Sequence, residues 1–256
     1  MNFLVLAAGK GSRLGDLTKT QPKPLVKLWG KPLLDYQLAA ARTCGLNQHF
    51  LVTGYCGEAF LPYNTRNFHN NEFASSNMLY SLMCARELFN SKDDLIISYG
   101  DIVYTPEILK QLIDNPKDFV VSADLHWCNL WELRMENPLS DAESFKFDNE
   151  QRLYDIGQPL QSYSDAQAQY IGLIKIRAAI FNRITTLYDA MEESSRCNAY
   201  FTDFIQLCIN EGIPVHGQLH KRQWLEVDTQ EDLYRYEALI RDDEFEALGV
   251  PSRLFA

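Results

Sequence analysis

An apolar run, Phe3-Leu4-Val5-Leu6, stops at Ala7-Ala8-Gly9-Lys10-Gly11-Ser12-Arg13-Leu14-Gly15, and Pro22-Lys23-Pro24 follows closely. The run reads as a buried first strand. A strand ending in small residues and glycine brings bare backbone N–H groups near whatever lies above the sheet, and such a turn can cradle phosphates. Arg13 and Lys23 add two positive charges beside it. The combination suggests a nucleoside triphosphate site. It is not a dinucleotide fingerprint. Gly9-Lys10-Gly11-Ser12-Arg13-Leu14 has Leu14 where the third glycine belongs, and Pro22 and Pro24 forbid a continuous helix. The second strand ends in Thr53-Gly54, with no carboxylate for a ribose, and the Walker pattern is absent.

Strand and helix alternate after this turn. Leu33, Leu34, Leu38 and Ala41 follow Pro32 at helical spacing, and Gly45 stops that helix. His49–Thr53 predicts a second strand. Asn77–Phe89 predicts a helix capped by Ser75 or Ser76, Asp94–Tyr99 a third strand, and Phe119–Ala123 a fourth. Thr105-Pro106-Glu107 opens a helix between the last two. The expected class is α/β with a doubly wound, mostly parallel sheet. From Trp127 to Asp155 the pattern is irregular and reads as short strand-like pieces with polar turns. Tyr170–Ile176 is a strand. Helical stretches are expected near Ala178–Glu193 and Phe201–Glu211, then a short strand Trp224–Val227 and a charged helix from Gln230 to Arg241. No linker or repeat is visible, so residues 1–256 read as one domain. The final segment, Phe245–Ala256, is apolar enough to dock on the core or on a second subunit, which leaves a homodimer open.

The net charge is −10, which disfavours a nucleic-acid partner. Lys10, Arg13, Lys19, Lys23 and Lys27 nonetheless concentrate cations near the first turn. No apolar run approaches the roughly 20 residues of a membrane span. The six cysteines form no CxxC pair, so reduced thiols and a cytoplasmic location are expected.

Asp101 follows one strand and Asp228 another, and ligands of open α/β sheets lie beyond the strands' carboxyl ends. Each aspartate alone is equally a helix cap. Beside a triphosphate loop, the pair suits Mg²⁺. None of the five histidines falls in these motifs. A phosphate-monoester nucleophile fits that absence, because with a second pKa near 6 it arrives mostly ionised and requires no general base.

Leu6-Ala-Ala-Gly-x-Gly-Ser-Arg-Leu14 with Gln21-Pro-Lys-Pro24 resembles the signature of nucleotidyltransferases that make NDP-sugars and CDP-alcohols. Ser76–Ser81, Asp94–Asp101 and Trp224–Asp228 are similar to cytidylyltransferases of phosphocholine and 2-aminoethylphosphonate. Leu130-Trp131, Arg134–Glu143 and Ala168–Lys175 resemble the branch acting on phosphoglutamine in capsular phosphoramidate synthesis. The resemblance implies a Rossmann-like nucleotidyltransferase fold and transfer of CMP from CTP to a small phosphorylated acceptor, for surface polysaccharide decoration. It casts Arg13 and Lys23 as catalytic cations and Asp101 and Asp228 as Mg²⁺ ligands. Leu6, Ala7, Ala8, Gly9, Gly11, Ser12, Asn77 and Gly100 would bind the nucleotide. Trp131, Arg134, Tyr170 and Asp203 are the candidates for the acceptor. Gln158 stands near a position where relatives often carry lysine. A sugar-1-phosphate uridylyl- or thymidylyltransferase is the alternative.

Overall fold

The computed structural model describes residues 1–241, and its centre is a seven-stranded sheet. From edge to edge the strands are His216–His220, Phe119–Asp124, Gln169–Ile176, Leu95–Tyr99, Asn2–Ala7, His49–Thr53 and Arg66–His69. Neighbours run parallel except around Gln169–Ile176, which is antiparallel to both partners. The chain thus forms the expected mixed, mostly parallel α/β sheet.

The first strand shows why the sheet carries helices on both faces. Alternate side chains of a strand point to opposite faces. Phe3, Val5 and Ala7 join one core with Leu34 and Leu38 of the Leu33–Thr43 helix and Leu109 and Leu112 of the Pro106–Asp114 helix. Leu4, Leu6 and Ala8 join the other with Leu79 and Leu82 of the Met78–Cys84 helix and Phe204 and Ile205 of the Phe201–Asn210 helix. A strand apolar at every position is what burial on both faces requires.

Several elements differ from expectation. Trp127–Arg134 is an α-helix, followed by an antiparallel hairpin of Glu143–Phe147 and Leu153–Pro159. The helix buries Trp127, Leu130, Trp131 and Arg134. That is helical spacing, concealed because its fourth member is an arginine. The helix expected over Asn77–Phe89 divides into Met78–Cys84 and a 3₁₀ turn at Arg86–Asn90, and its N-cap is Asn77 rather than either serine. The stretch after Ala178 divides into Phe181–Ala190 and Glu193–Asn198. Both sheet edges, Arg66–His69 and His216–His220, are too polar to read as strands from the sequence. The apolar segment Phe245–Ala256 lies outside the described residues.

One small ladder decides where the site forms. Trp224–Glu226 pairs antiparallel with Ile102–Tyr104, and the Val227 N–H donates to the Asp101 carbonyl at 2.9 Å. Two aspartates far apart in sequence are thereby brought together at the end of the sheet.

Candidate active site

The first turn is held as a rigid ledge. Gly11 sits at φ +67°, and a Cβ there would lie 2.7 Å from Lys23 Cβ, so its missing side chain is the space Lys23 occupies. The Thr18 hydroxyl donates to the Gly11 carbonyl at 2.9 Å, and Gln230 Nε2 donates to the Leu14 carbonyl at 2.9 Å. Leu14 is fully buried beneath the turn.

Lys23 is buried, and its Nζ donates to Asp101 Oδ2 at 2.8 Å and to Asp228 Oδ1 at 2.6 Å. Arg13, exposed on the 3₁₀ helix Ser12–Thr18 that forms within the expected loop, makes an ion pair with Asp228 Oδ2. Burial alone would lower the Lys23 pKa, but the two carboxylates outweigh it and hold the ammonium above its ordinary value. Asp228 shows the converse. Burial pushes it up, yet Lys23, Arg13 and Arg134 hold it below the usual carboxylate range. Asp101 Oδ1 is buried and has no hydrogen-bond partner among the described residues. An orphaned carboxylate oxygen next to a second carboxylate fits a hard cation. Among the described residues no three or more His, Cys, Asp or Glu side chains gather as a metal cage. Two carboxylates completed by substrate phosphates is the usual mode for Mg²⁺.

Two pockets meet at this ion cluster. The smaller, about 100 Å³, is lined by Leu6, Ala7, Gly9, Lys23, Pro24, Met78, Gly100 and Asp101. A Cβ on Gly100 would approach the Leu6 carbonyl and Pro24 Cγ to 2.7 Å, so glycine keeps this floor open. The larger, about 170 Å³, begins at Arg13 and Asp228 and shares Met78. Its walls include Tyr99, Trp131, Tyr170, Tyr200 and Trp224, together with Asp141, Glu143 and Glu226. Burial pushes Glu226 up to about 7, with Arg134 opposing and Asp101 and Asp228 adding to the rise. Burial also raises Glu143, against a hydrogen bond from Thr202.

The structure gathers most, but not all, of the residues singled out by sequence. Arg13, Lys23, Asp101 and Asp228 converge on one point. Leu6, Ala7, Gly9 and Gly100 line the smaller pocket, and Trp131 and Tyr170 the larger. Four others stand back. The Ala8 carbonyl accepts the Tyr55 N–H, Gly11 packs on Lys23, and Ser12 is exposed on the loop. Asn77 donates its side-chain amide to the Asn198 carbonyl and its N–H to Cys197. Two acceptor candidates lie elsewhere. Arg134 is buried behind the larger pocket, paired with Glu226 and Asp232. Asp203 accepts the Tyr200 N–H and so caps the following helix. Gln158 is exposed, and its backbone N–H donates to Ser144 Oγ at 3.0 Å. Met78, Glu226 and Trp224 escaped sequence reasoning as site residues. Glu226 had a signal, since in a strand it shares a face with Asp228 two residues on.

A glycine-turn ledge, a lysine between two aspartates and a second pocket across them are the arrangement expected of a nucleotidyltransferase. Residues 3–165 match the MobA-like NTP transferase domain, and the chain belongs to that family. It is similar to CTP:phosphoglutamine cytidylyltransferase of Campylobacter jejuni, 33% identical over 248 residues, covering 91% of this chain and 98% of that protein. A shorter similarity, 36% over 91 residues, covers 34% of this chain and 40% of the choline-phosphate cytidylyltransferase of Streptococcus pneumoniae. The solved CTP:phosphocholine cytidylyltransferase of Streptococcus pneumoniae shares the fold with a TM-score of 0.72 at 20% identity, over 93% of this chain and 98% of that one.

Proposed function

We propose that the protein transfers CMP from CTP to a small phosphorylated acceptor that carries an ammonium group, releasing pyrophosphate. The observation that carries this reading is Lys23, clamped by Asp101 and Asp228 where the two pockets meet. The named relatives support cytidine as the base. The larger pocket supports the acceptor class. Asp141, Glu143 and Glu226 line it among aromatic rings, and Arg13 at its mouth is its one cationic lining residue among the described residues. Carboxylates and aromatic faces both favour a cation. Phosphoglutamine, phosphocholine and 2-aminoethylphosphonate all present one.

An oxygen of the acceptor phosphate attacks the α-phosphorus of CTP, and the bond to pyrophosphate breaks on the opposite side. The nucleophile is already anionic, so the work is alignment and charge neutralisation. Lys23 Nζ has three protons; two go to Asp101 and Asp228, and the third is available to a phosphoryl oxygen. Arg13 forks onto phosphate from the loop while Asp228 orients it. Mg²⁺ held by Asp101 and Asp228 would supply further neutralisation at the α-phosphate. The six cysteines are free thiols, which supports a cytoplasmic setting, and no helix among the described residues is long and apolar enough to cross a membrane. Surface polysaccharide decoration is the use we propose for the CDP-linked product.

The test is pyrophosphate release over a matrix of CTP, UTP, dTTP and ATP against the three ammonium-bearing acceptors and glucose 1-phosphate. Release is expected with CTP and at least one ammonium-bearing acceptor. No release in any CTP pairing rejects the reading. Turnover only with UTP or dTTP and the sugar phosphate transfers the protein to the alternative.

A further inference from the structure

Arg134 is the most deeply buried cation near the site, with its side chain only 3% exposed, and it touches neither pocket. Burying a guanidinium is costly unless every side of it is answered. Here one arm donates to Glu226, whose side chain lines the larger pocket. Nε donates to Asp232 Oδ1 at 3.2 Å. Its Cζ lies over the ring of Trp131, another wall of that pocket, 5.3 Å from the centroid. Asp232 is itself 2% exposed, and its Oδ2 accepts the backbone N–H groups of Asp228 and Thr229, each at 2.8 Å. The Asp232 N–H returns to Thr229 Oγ1 at 3.1 Å, closing a capping box at the start of the last helix.

One buried cation therefore connects three parts of the site. It fixes Glu226 by an ion pair, Trp131 by its face, and the Asp228 backbone through Asp232. We infer that Arg134 and Asp232 are positioning residues that set the carboxylate of Asp228 for the metal and Glu226 for the acceptor, an inference that rests on the proposed transfer reaction. A planar fork suits this, because its nitrogens meet two separate carboxylates while Cζ stays over an indole. Lysine conserves the charge, but its three donors radiate from one nitrogen and lack the spread of the fork. Neighbours that orient a metal ligand typically contribute about 10- to 100-fold in metal affinity or activity.

The experiment uses the full chain and the variants Arg134→Lys and Asp232→Asn, each first shown to melt cooperatively. Protein-dependent Mn²⁺ binding is read by electron paramagnetic resonance with CTP present and the acceptor withheld, so that the completing phosphates are supplied without turnover, and acceptor KM and kcat are read separately. Arg134→Lys is expected to weaken Mn²⁺ about tenfold and to raise acceptor KM by a similar factor. Asp232→Asn is expected to weaken Mn²⁺ while leaving acceptor KM near the parent's, since Arg134 still holds Glu226. The split between the two variants is what a merely structural role would not produce. If Arg134→Lys does not fold, Asp232→Asn decides. A folded variant of either kind that binds Mn²⁺ within about twofold of the parent overturns the inference, as does a parent that binds no Mn²⁺. Because the titration needs no turnover, a failed transfer reaction and a failed positioning role are told apart.

Discussion

The two pockets are built in opposite ways. The smaller has small residues, Ala7, Gly9, Pro24 and Gly100, for half of its lining and sits near the ends of two adjacent parallel strands, Asn2–Ala7 and Leu95–Tyr99. The larger draws mostly on side chains from segments spread along the chain, from Arg13, Met78 and Tyr99 through the Trp127–Arg134 helix to the Trp224–Glu226 strand. Backbone geometry changes only if the fold changes, whereas side chains on loops and hairpins can be exchanged on a fixed scaffold. The proposed nucleotide side thus belongs to the fold and the proposed acceptor side to this chain. The ion cluster is the seam, with Lys23 and Asp101 facing one pocket and Arg13 and Asp228 the other.

The seam is the sharpest place to break this contrast. Lys23→Ala leaves Asp101 and Asp228 side by side and removes a donor from both halves. Turnover is expected to fall on the order of 100-fold or more, as for loss of a preorganised transition-state donor. Single-turnover kinetics with CTP and acceptor both saturating would read this as a loss in the chemical step. Near-parental turnover would show that the seam is structural only. Asp101→Asn tests the same point from the other charge. Its Mg²⁺ requirement should rise steeply, and unchanged Mg²⁺-dependent activity would remove Asp101 from the metal site.

Next in size is a change confined to the nucleotide side. Gly100→Ala places a methyl 2.7 Å from the Leu6 carbonyl, which is backbone and cannot rotate away. Overpacking of this kind costs about 1–3 kcal/mol. The melting temperature should fall and CTP KM should rise roughly tenfold, with acceptor KM little changed. A rise in acceptor KM equal to that in CTP KM would mean the two halves are not separately built.

The same contrast explains what was legible in the sequence. The gathering of residues at the smaller pocket and the ion cluster was readable because its signals are local: an apolar run, a glycine turn, a lysine between prolines, and aspartates at strand ends. The acceptor side was not. Its helix hides behind a buried arginine, because Arg134 is apolar neither in type nor in expectation, and only the Glu226 and Asp232 pairing makes its burial tolerable. Asp203 and Arg134 were marked as acceptor contacts from their charge, yet each is committed to a neighbour, one to a helix cap and one to an ion network. Composition shows that a charge exists; only tertiary structure shows what it faces. The polar edge strands were hidden for a related reason. Edge strands carry little of the core, so neither Arg66–His69 nor His216–His220 shows a strong apolar alternation.

A smaller effect is expected on the acceptor side. Glu143→Gln keeps shape and removes charge from one wall of the larger pocket. A charge-assisted hydrogen bond exceeds a neutral one by about 1 kcal/mol, so acceptor KM should rise about fivefold. CTP KM should stay put. Measuring both with a neutral phosphorylated alcohol as a control acceptor sharpens the point, because that substrate should be indifferent to the substitution. Equal losses with both acceptors would remove Glu143 as an ammonium contact.

The smallest effect concerns the scaffold beneath the acceptor side. His216 and His220 lie on its edge strand, both largely buried, with His216 Nδ1 and His220 Nε2 lacking partners. Burial lowers the pKa of each, against a raising influence of Asp124 on His220 and with Lys117 and Arg152 lowering His216 further. A histidine whose folded pKa lies below its unfolded value is kept neutral by the fold. The unfolded chain then binds more protons, so stability is full above the unfolded pKa, about 6.5, and is lost as pH falls below it. His49, on the nucleotide side, is depressed by burial too, but its Nε2 bonds the Leu46 carbonyl, which opposes the shift. Acidification from neutral should therefore loosen the His216–His220 edge before the Asn2–Ala7 centre. Amide hydrogen exchange corrected for intrinsic rates at each pH would show it, as a greater loss of protection across the pairing of His216–His220 with Phe119–Asp124. Uniform loss across the whole sheet would mean that acid acts on global stability, and that the two sides share one scaffold even though their pockets are built differently.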